Sequence, residues 1–146
     1  MRVRLKESKD VSSEIAEVSV QNTWDALAHD PEAVLIDVRT VPEWQFVGIP
    51  NLTPIGKNVV TVSWSHYPNQ PNPSFVEDVL AAGVDPQQPV YLICRSGARS
   101  RSAAAALIQS GFGQCFNVTE GFEGGADGAG HRLGGWKGAG LPWNQS

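Results

Sequence analysis

One short segment, residues 94–102 (CRSGARSRS), combines a nucleophile, a glycine and three arginines. A thiol beside cationic side chains at the start of a helix ionises readily, and its thiolate is a nucleophile. Gly97 permits the dihedral angles of a tight turn, in which successive backbone N–H groups can point at one anion. Positive charge in the first turn of a helix opposes the helix dipole at about 0.3–1 kcal/mol per residue. Because local rules are most often broken at functional sites, the arginines indicate that an anion binds here, and the segment predicts covalent chemistry by Cys94.

The spacing within this segment separates two kinds of anion chemistry. Cysteine phosphatases, and one type of arsenate reductase, place an arginine six residues after the nucleophilic cysteine. Here that position is Ser100, with Arg99 one residue before it and Arg101 one after. The ring of backbone amides is therefore predicted to be too small for a tetrahedral phosphoryl group and to suit a single sulfur atom carried by Cys94. Phosphatase or arsenate reductase chemistry is the less favoured alternative.

Alternating strand and helix patterns place this segment between a buried strand and a helix. Apolar runs of strand length indicate strands that are buried on both faces, and helices begin at capping residues and stop at glycines. The predicted strands are residues 15–18, 33–38, 58–63, 89–94 and 115–118. The predicted helices are residues 19–28, 72–83, with Asn72 as N-cap and Pro73 in the first turn, and 98–110, with a short helix near Trp136.

This alternation predicts an α/β fold with a central parallel sheet of about five strands and helices on both faces. In such sheets ligands bind beyond the carboxyl ends of the strands. Two loops are therefore candidates for the site, one after Val38 and one after Ile93.

Length and composition limit the class of protein. A chain of 146 residues is the size of one domain, and we expect residues 1–11 to be frayed and residues 12–146 to form that domain. The net charge of -4 disfavours general nucleic-acid binding. No apolar run reaches the length of a membrane helix and no signal peptide is evident, so we expect a cytoplasmic protein without membrane association. Two cysteines and scattered histidines form no metal-binding pattern, so no metal is expected.

Several segments together resemble the rhodanese-like domain family, in its single-domain sulfurtransferase form. The resemblance covers roughly residues 12–143. It is carried by Leu35-Ile36-Asp37-Val38-Arg39, Glu43-Trp44, Val90 to Cys94, the loop Arg95 to Ser100, Asn117-Val118 and Gly121-Phe122.

The resemblance implies a sulfurtransferase with Cys94 as catalytic residue and with no metal or organic cofactor. Cys94 would take the outer sulfur of a thiosulfate-like anion as a persulfide and pass it to a thiol or to cyanide. The implied loop that holds this sulfur and attracts the anion is Arg95, Ser96, Gly97, Ala98, Arg99 and Ser100. Asp37 and Arg39 would support the site by organising loops through hydrogen bonds.

Several further points stay open at the level of sequence. One alternative function is a sulfur carrier or binding module, which a sulfur-relay partner protein would load. Cys115 is expected to be an inert packed thiol. His66, which shares a loop with Trp64 and Tyr67, is expected to lie away from the pocket; whether either residue approaches the site is left open by the sequence. The glycine-rich stretch from Gly121 to Gly125 is expected to border the Cys94 pocket.

Overall fold

The computed structural model describes residues 15–145, so the expectation of a frayed N-terminus at residues 1–11 lies outside the described residues. The strands are β1 (Ala16–Val18), β2 (Val34–Asp37), β3 (Ile49–Pro50), β4 (Val60–Thr61), β5 (Ser65–His66), β6 (Gln70–Pro71), β7 (Pro89–Ile93), β8 (Gln114–Val118) and β9 (Trp143–Asn144). The helices are α1 (Val20–His29), α2 (Val41–Phe46), α3 (Phe75–Ala81), α4 (Ala98–Gln109) and α5 (Gly135–Gly138), with a 3-10 helix at Thr53–Ile55.

The central element is a five-stranded parallel sheet in the order β1-β8-β7-β2-β4. One face is covered by α3 and α4, which supply Phe75 and Leu107 to its core. The other face is covered by α1 and α5, which supply Leu27 and Trp136. The predicted α/β fold, with about five parallel strands and helices on both faces, is therefore confirmed.

The strand order fixes where a ligand can bind. The chain runs from β2 outward to β4 and then returns to the opposite side of β2 to form β7. The point at which the strand order reverses therefore lies between β2 and β7, and ligands of open α/β sheets bind in the crevice at that point. Asp37 pairs with Ile93 in the register of these two strands, so the loops after β2 and β7 begin side by side.

Three local predictions differ from the structure. Helix α3 begins at Phe75 with Ser74 as N-cap, because the Asn72 Oδ1 atom accepts the Ser74 N–H (3.0 Å) in a turn that precedes the helix. The predicted strand at residues 58–63 is shortened to β4. Helix α2 was not predicted, although Pro42 lies in its first turn, where a missing N–H costs no hydrogen bond.

Two small antiparallel pairs flank the sheet. β3 pairs with β9, and β5 pairs with β6 to form a short hairpin. No helix among residues 15–145 is long and apolar enough to cross a bilayer.

Candidate active site

Cys94 lies directly after β7, at the N-terminal side of α4, and is 1% exposed. Its Sγ accepts hydrogen bonds from the Gly97 N–H (3.1 Å) and the Ser100 N–H (3.3 Å). The Ser100 hydroxyl oxygen lies 3.2 Å from the same sulfur. We call the two amides and this hydroxyl the cradle. The two amide N–H groups converge on one sulfur at a helix N-terminus, an arrangement that stabilises an anionic sulfur.

Glycine is required at the centre of the cradle. Gly97 has φ +109°, a conformation that side-chain-bearing residues rarely adopt, and a Cβ atom there would lie 2.3 Å from the Thr119 carbonyl oxygen. The cradle is thus pressed against the loop that follows β8.

The loop after β8 also lies against the backbone of Cys94 and Arg95, the two residues that lead into the cradle. The Phe122 N–H donates to the Cys94 carbonyl (2.8 Å), and the Glu123 and Gly124 N–H groups donate to the Arg95 carbonyl (3.0 and 3.2 Å). A Cβ atom on Gly121 would lie 2.5 Å from the Arg95 carbonyl oxygen. Three hydrogen bonds from this loop therefore hold the backbone of Cys94 and Arg95, and the close approach at Gly121 leaves no room for a side chain there.

Asn117 ties the cradle to the neighbouring strand, a role that the sequence reasoning missed. Its Oδ1 accepts from the Ser100 hydroxyl (2.5 Å), and its Nδ2 donates to the Gly97 carbonyl (3.1 Å) and to Glu17 (2.9 Å). Asn117 and Ser100 are both buried. The available signal was an amide between the apolar residues Phe116 and Val118 of β8, because a buried polar side chain needs partners.

Asp37 and Arg39 form a buried ion pair at the end of β2. Both side chains are 0% exposed, and the Arg39 Nη2 and Nε atoms donate to Asp37 oxygens at 2.6 and 2.9 Å. Arg39 also donates to the Gly48 carbonyl (2.6 Å), and its guanidinium lies 4.3 Å from the centre of the Phe122 ring. The pair therefore joins the loop after β2 to the turn before β3 and to the loop after β8.

The three arginines of the segment have different environments. Arg99 makes two hydrogen bonds to Glu43, at 2.7 and 2.9 Å, and Arg101 pairs with Glu17. Arg95 is exposed, and the described part of the chain gives it no ion pair. Carboxylates from α2 and β1 thus offset part of the local cost of positive charge at the start of α4.

The pairing of Arg99 with Glu43 shows in the pKa values of both groups. Burial by itself raises the pKa of Glu43, but the hydrogen bonds and charge of Arg99, together with Thr40, lower it to about 2. The hydrogen bonds to Glu43 raise the pKa of Arg99 above its ordinary value. Both groups are therefore charged at neutral pH, and they join α2 to α4 beside the cradle.

The remaining residues of the predicted loop, Ser96 and Ala98, are exposed. Cys115 lies opposite Val90 in the β7–β8 register, about 13 Å along the strand from Cys94 at about 3.3 Å per residue. Burial raises the pKa of Cys115 to about 12, which fits a packed thiol. His66 lines a separate depression with Asn72 and Asp78.

Comparisons with known proteins match nearly the whole described chain. A family model described as "STR4 middle domain" matches residues 15–146. Uncharacterized protein RC0915 of Rickettsia conorii is 38% identical over 132 residues, which cover 86% of this chain and 98% of that protein. The protein named thiosulfate sulfurtransferase GlpE in Glaesserella parasuis is 28% identical over 108 residues, which cover 74% of this chain and 83% of that protein.

Two solved structures share the architecture. The crystal structure of Rv0390 from M. tuberculosis has a TM-score of 0.84 at 39% identity and covers 90% of this chain and 98% of that one. The polysulfide-sulfur transferase homodimer of Wolinella succinogenes has a TM-score of 0.64 at 23% identity, covers 97% of this chain and 86% of that one, and shows the same fold.

Proposed function

The chain belongs to the STR4 middle-domain family and has the predicted rhodanese-like fold, and from these premises we propose that it is a thiosulfate-type sulfurtransferase. Cys94 is the nucleophile, the donor is a small anion with a sulfane sulfur, and the acceptor is a thiol or cyanide. Distant relatives named as sulfurtransferases support this class of activity.

The observation that carries the proposal is the convergence of the cradle on Cys94 Sγ. Amide donors lie 3.1 and 3.3 Å from the sulfur, where they stabilise a thiolate before the reaction and a persulfide after it. The next sulfur atom would lie about 2 Å beyond Sγ, the length of an S–S bond. The loop that carries the cradle, residues 95–100, ends at Ser100, where a phosphate-binding loop would have its arginine, so the site fits one added sulfur better than a phosphoryl group.

The proposed reaction has two displacement steps. The Cys94 thiolate attacks the outer sulfur of thiosulfate; the new Sγ–S bond forms as the S–S bond of the donor breaks, and sulfite leaves with the electron pair. An acceptor nucleophile then attacks the outer sulfur of the persulfide, the Sγ–S bond breaks, and Cys94 returns to the thiolate. Neither step needs a metal or an organic cofactor, because the nucleophile and the charge-stabilising donors belong to the chain.

Steady-state kinetics test this scheme directly. With thiosulfate and cyanide as substrates, initial-rate lines at several fixed thiosulfate concentrations should be parallel in double-reciprocal form, because each substrate meets a different form of the enzyme. Intersecting lines would contradict the two-step scheme. Cys94-dependent hydrolysis of an aryl phosphate, without sulfur transfer, would replace it with phosphatase chemistry.

A further inference from the structure

A cavity of about 500 Å³ opens between α2, the β5–β6 hairpin and two residues of the segment that follows Cys94, Arg95 and Arg99. Its volume lies in the range of sites for small organic ligands, about 300–1,000 Å³. A bare thiosulfate or cyanide ion would leave most of this volume filled with water. The size therefore indicates a larger second substrate.

The walls of the cavity are largely apolar. Phe46 at the end of α2 is 76% exposed, and Tyr67 in the hairpin is 69% exposed. Pro68 and Val47 lie on the same lining. Most large apolar side chains of the described chain are buried, so two exposed aromatic rings facing one cavity indicate a surface that an apolar group covers.

Charge in the cavity points to an anionic group on the ligand. Arg95, Arg99 and Glu43 all line it. Glu43 is already engaged by Arg99, at 2.7 and 2.9 Å, whereas Arg95 has no ion pair within residues 15–145. The lining thus carries one uncompensated positive charge next to the residue that would bear the persulfide.

Resting on the proposed function, we infer that this cavity binds the sulfur acceptor, an organic thiol with an aromatic or similarly apolar body and a carboxylate. The aromatic body packs between Phe46 and Tyr67, and the carboxylate pairs with Arg95. The acceptor thiolate then attacks the outer sulfur of the Cys94 persulfide. A new S–S bond forms on the acceptor, the Sγ–S bond breaks, and Cys94 Sγ keeps the electron pair, so the products are an organic persulfide and the free thiolate.

Phe46 of α2 and Tyr67 of the hairpin form a specificity element that is separate from the cradle. The cradle binds the sulfur that every acceptor must attack, whereas Phe46 and Tyr67 distinguish one acceptor from another. Binding of the acceptor can therefore be measured without sulfur transfer. The assignment of the cavity and the proposed sulfur transfer are thus tested separately.

The first measurement is the binding of 4-mercaptobenzoate by calorimetry, in protein that carries Cys94→Ser so that no sulfur is transferred. One variant of this protein also carries Phe46→Ala and Tyr67→Ala, and the control variant carries Leu133→Ala instead. Leu133 is 77% exposed and does not line the cavity, so its replacement removes exposed apolar surface elsewhere on the molecule. We expect the double variant to bind at least about 10-fold more weakly than the control, equivalent to about 1.4 kcal/mol. Equal affinity of the two variants would overturn the assignment.

The second measurement is the rate at which three thiols discharge the Cys94 persulfide after loading with thiosulfate. The thiols are 4-mercaptobenzoate, 4-methylbenzenethiol and 2-mercaptoethanol, and the proteins are wild type and the same surface variants with Cys94 intact. The double variant should raise the half-saturating concentration of both aromatic thiols relative to the control, and Arg95→Gln should raise that of 4-mercaptobenzoate more than that of 4-methylbenzenethiol. Equal effects on all three thiols would contradict the cavity assignment. Failure of wild-type protein to load sulfur, with binding intact, would instead contradict the proposed sulfur transfer.

Discussion

Replacing Gly97 by alanine should disable the cradle through a steric effect whose size the structure fixes. The added Cβ atom would lie 2.3 Å from the Thr119 carbonyl oxygen, and ordinary contact begins near 3.4 Å, so the backbone must move by about 1 Å. The Gly97 N–H now lies 3.1 Å from Cys94 Sγ, and such a shift removes it from hydrogen-bonding distance. Loss of one preorganised donor of this kind slows catalysis by about 10²–10³-fold.

The matched control is Gly111→Ala, at the end of α4. Gly111 has φ +103°, close to the +109° of Gly97, but no atom lies within 4 Å of its added Cβ. Backbone strain should lower the free energy of unfolding of both variants by about 1–3 kcal/mol, which corresponds to a fall in Tm of about 3–10 °C. Only Gly97→Ala should also lose persulfide formation.

The assay is the second-order rate of persulfide formation from thiosulfate, followed by intact-protein mass at a temperature where both variants are folded. We expect Gly111→Ala to react within about 2-fold of wild type and Gly97→Ala to react about 100-fold more slowly. A Gly97→Ala protein that loads sulfur as fast as the control would refute the role given to the cradle.

Three other changes test the surroundings of the site. Glu43→Gln should lower the free energy of unfolding at pH 7 by about 1–2 kcal/mol, because the ion pair with Arg99 is only partly exposed. The folded-state pKa of Glu43 is lowered from 4.5 to about 2, so its contribution is full above pH 4.5 and is lost as the pH falls toward 2; urea unfolding that gives the same difference at pH 7 and pH 2.5 would contradict this. Asn117→Ala should cost about 1–3 kcal/mol in urea unfolding and slow persulfide formation, because it removes the buried hydrogen bonds of Asn117 to the Ser100 hydroxyl and the Gly97 carbonyl; a variant that is destabilised but loads at the wild-type rate would limit Asn117 to folding. Cys115→Ala should form the Cys94 persulfide at the wild-type rate, since the Cys115 thiol is buried with a pKa of about 12, and a reduced sulfur load by mass would show that it takes part.

Much of the sheet could be predicted because parallel strands are buried on both faces and their sequences are nearly continuous apolar runs. The runs that became β2 and β7 are of this kind, and the structure places them side by side. Helix α4 was predicted within one residue at its end, since Gly97 and Gly111 mark its two limits. Apolar runs and bounding glycines were therefore sufficient to predict these strands and this helix.

Elements with conflicting local signals were predicted less well. Pro42 suggests a break, yet it lies in the first turn of α2, where Glu43 accepts hydrogen bonds from Thr40. Asn72 and Ser74 are both good N-caps two residues apart, and sequence alone could not choose between them.

The partners of the cradle could not be predicted from sequence, because they come from distant parts of the chain. Glu17 reaches Asn117 across 100 residues, and Glu43 reaches Arg99 across 56. Periodicity reports which face a residue occupies but not which side chain of another strand meets it. The arginines of the segment therefore looked more available to an anion than the structure makes them.

The central claim is that Cys94 carries the sulfur in transit. Intact-protein mass should be measured after incubation with thiosulfate, before and after addition of cyanide, on wild type and on Cys94→Ser. A gain of one sulfur atom that cyanide removes, and that is absent from a folded Cys94→Ser protein, is the predicted result. The same gain in Cys94→Ser, or no gain in wild type, would contradict the proposed mechanism.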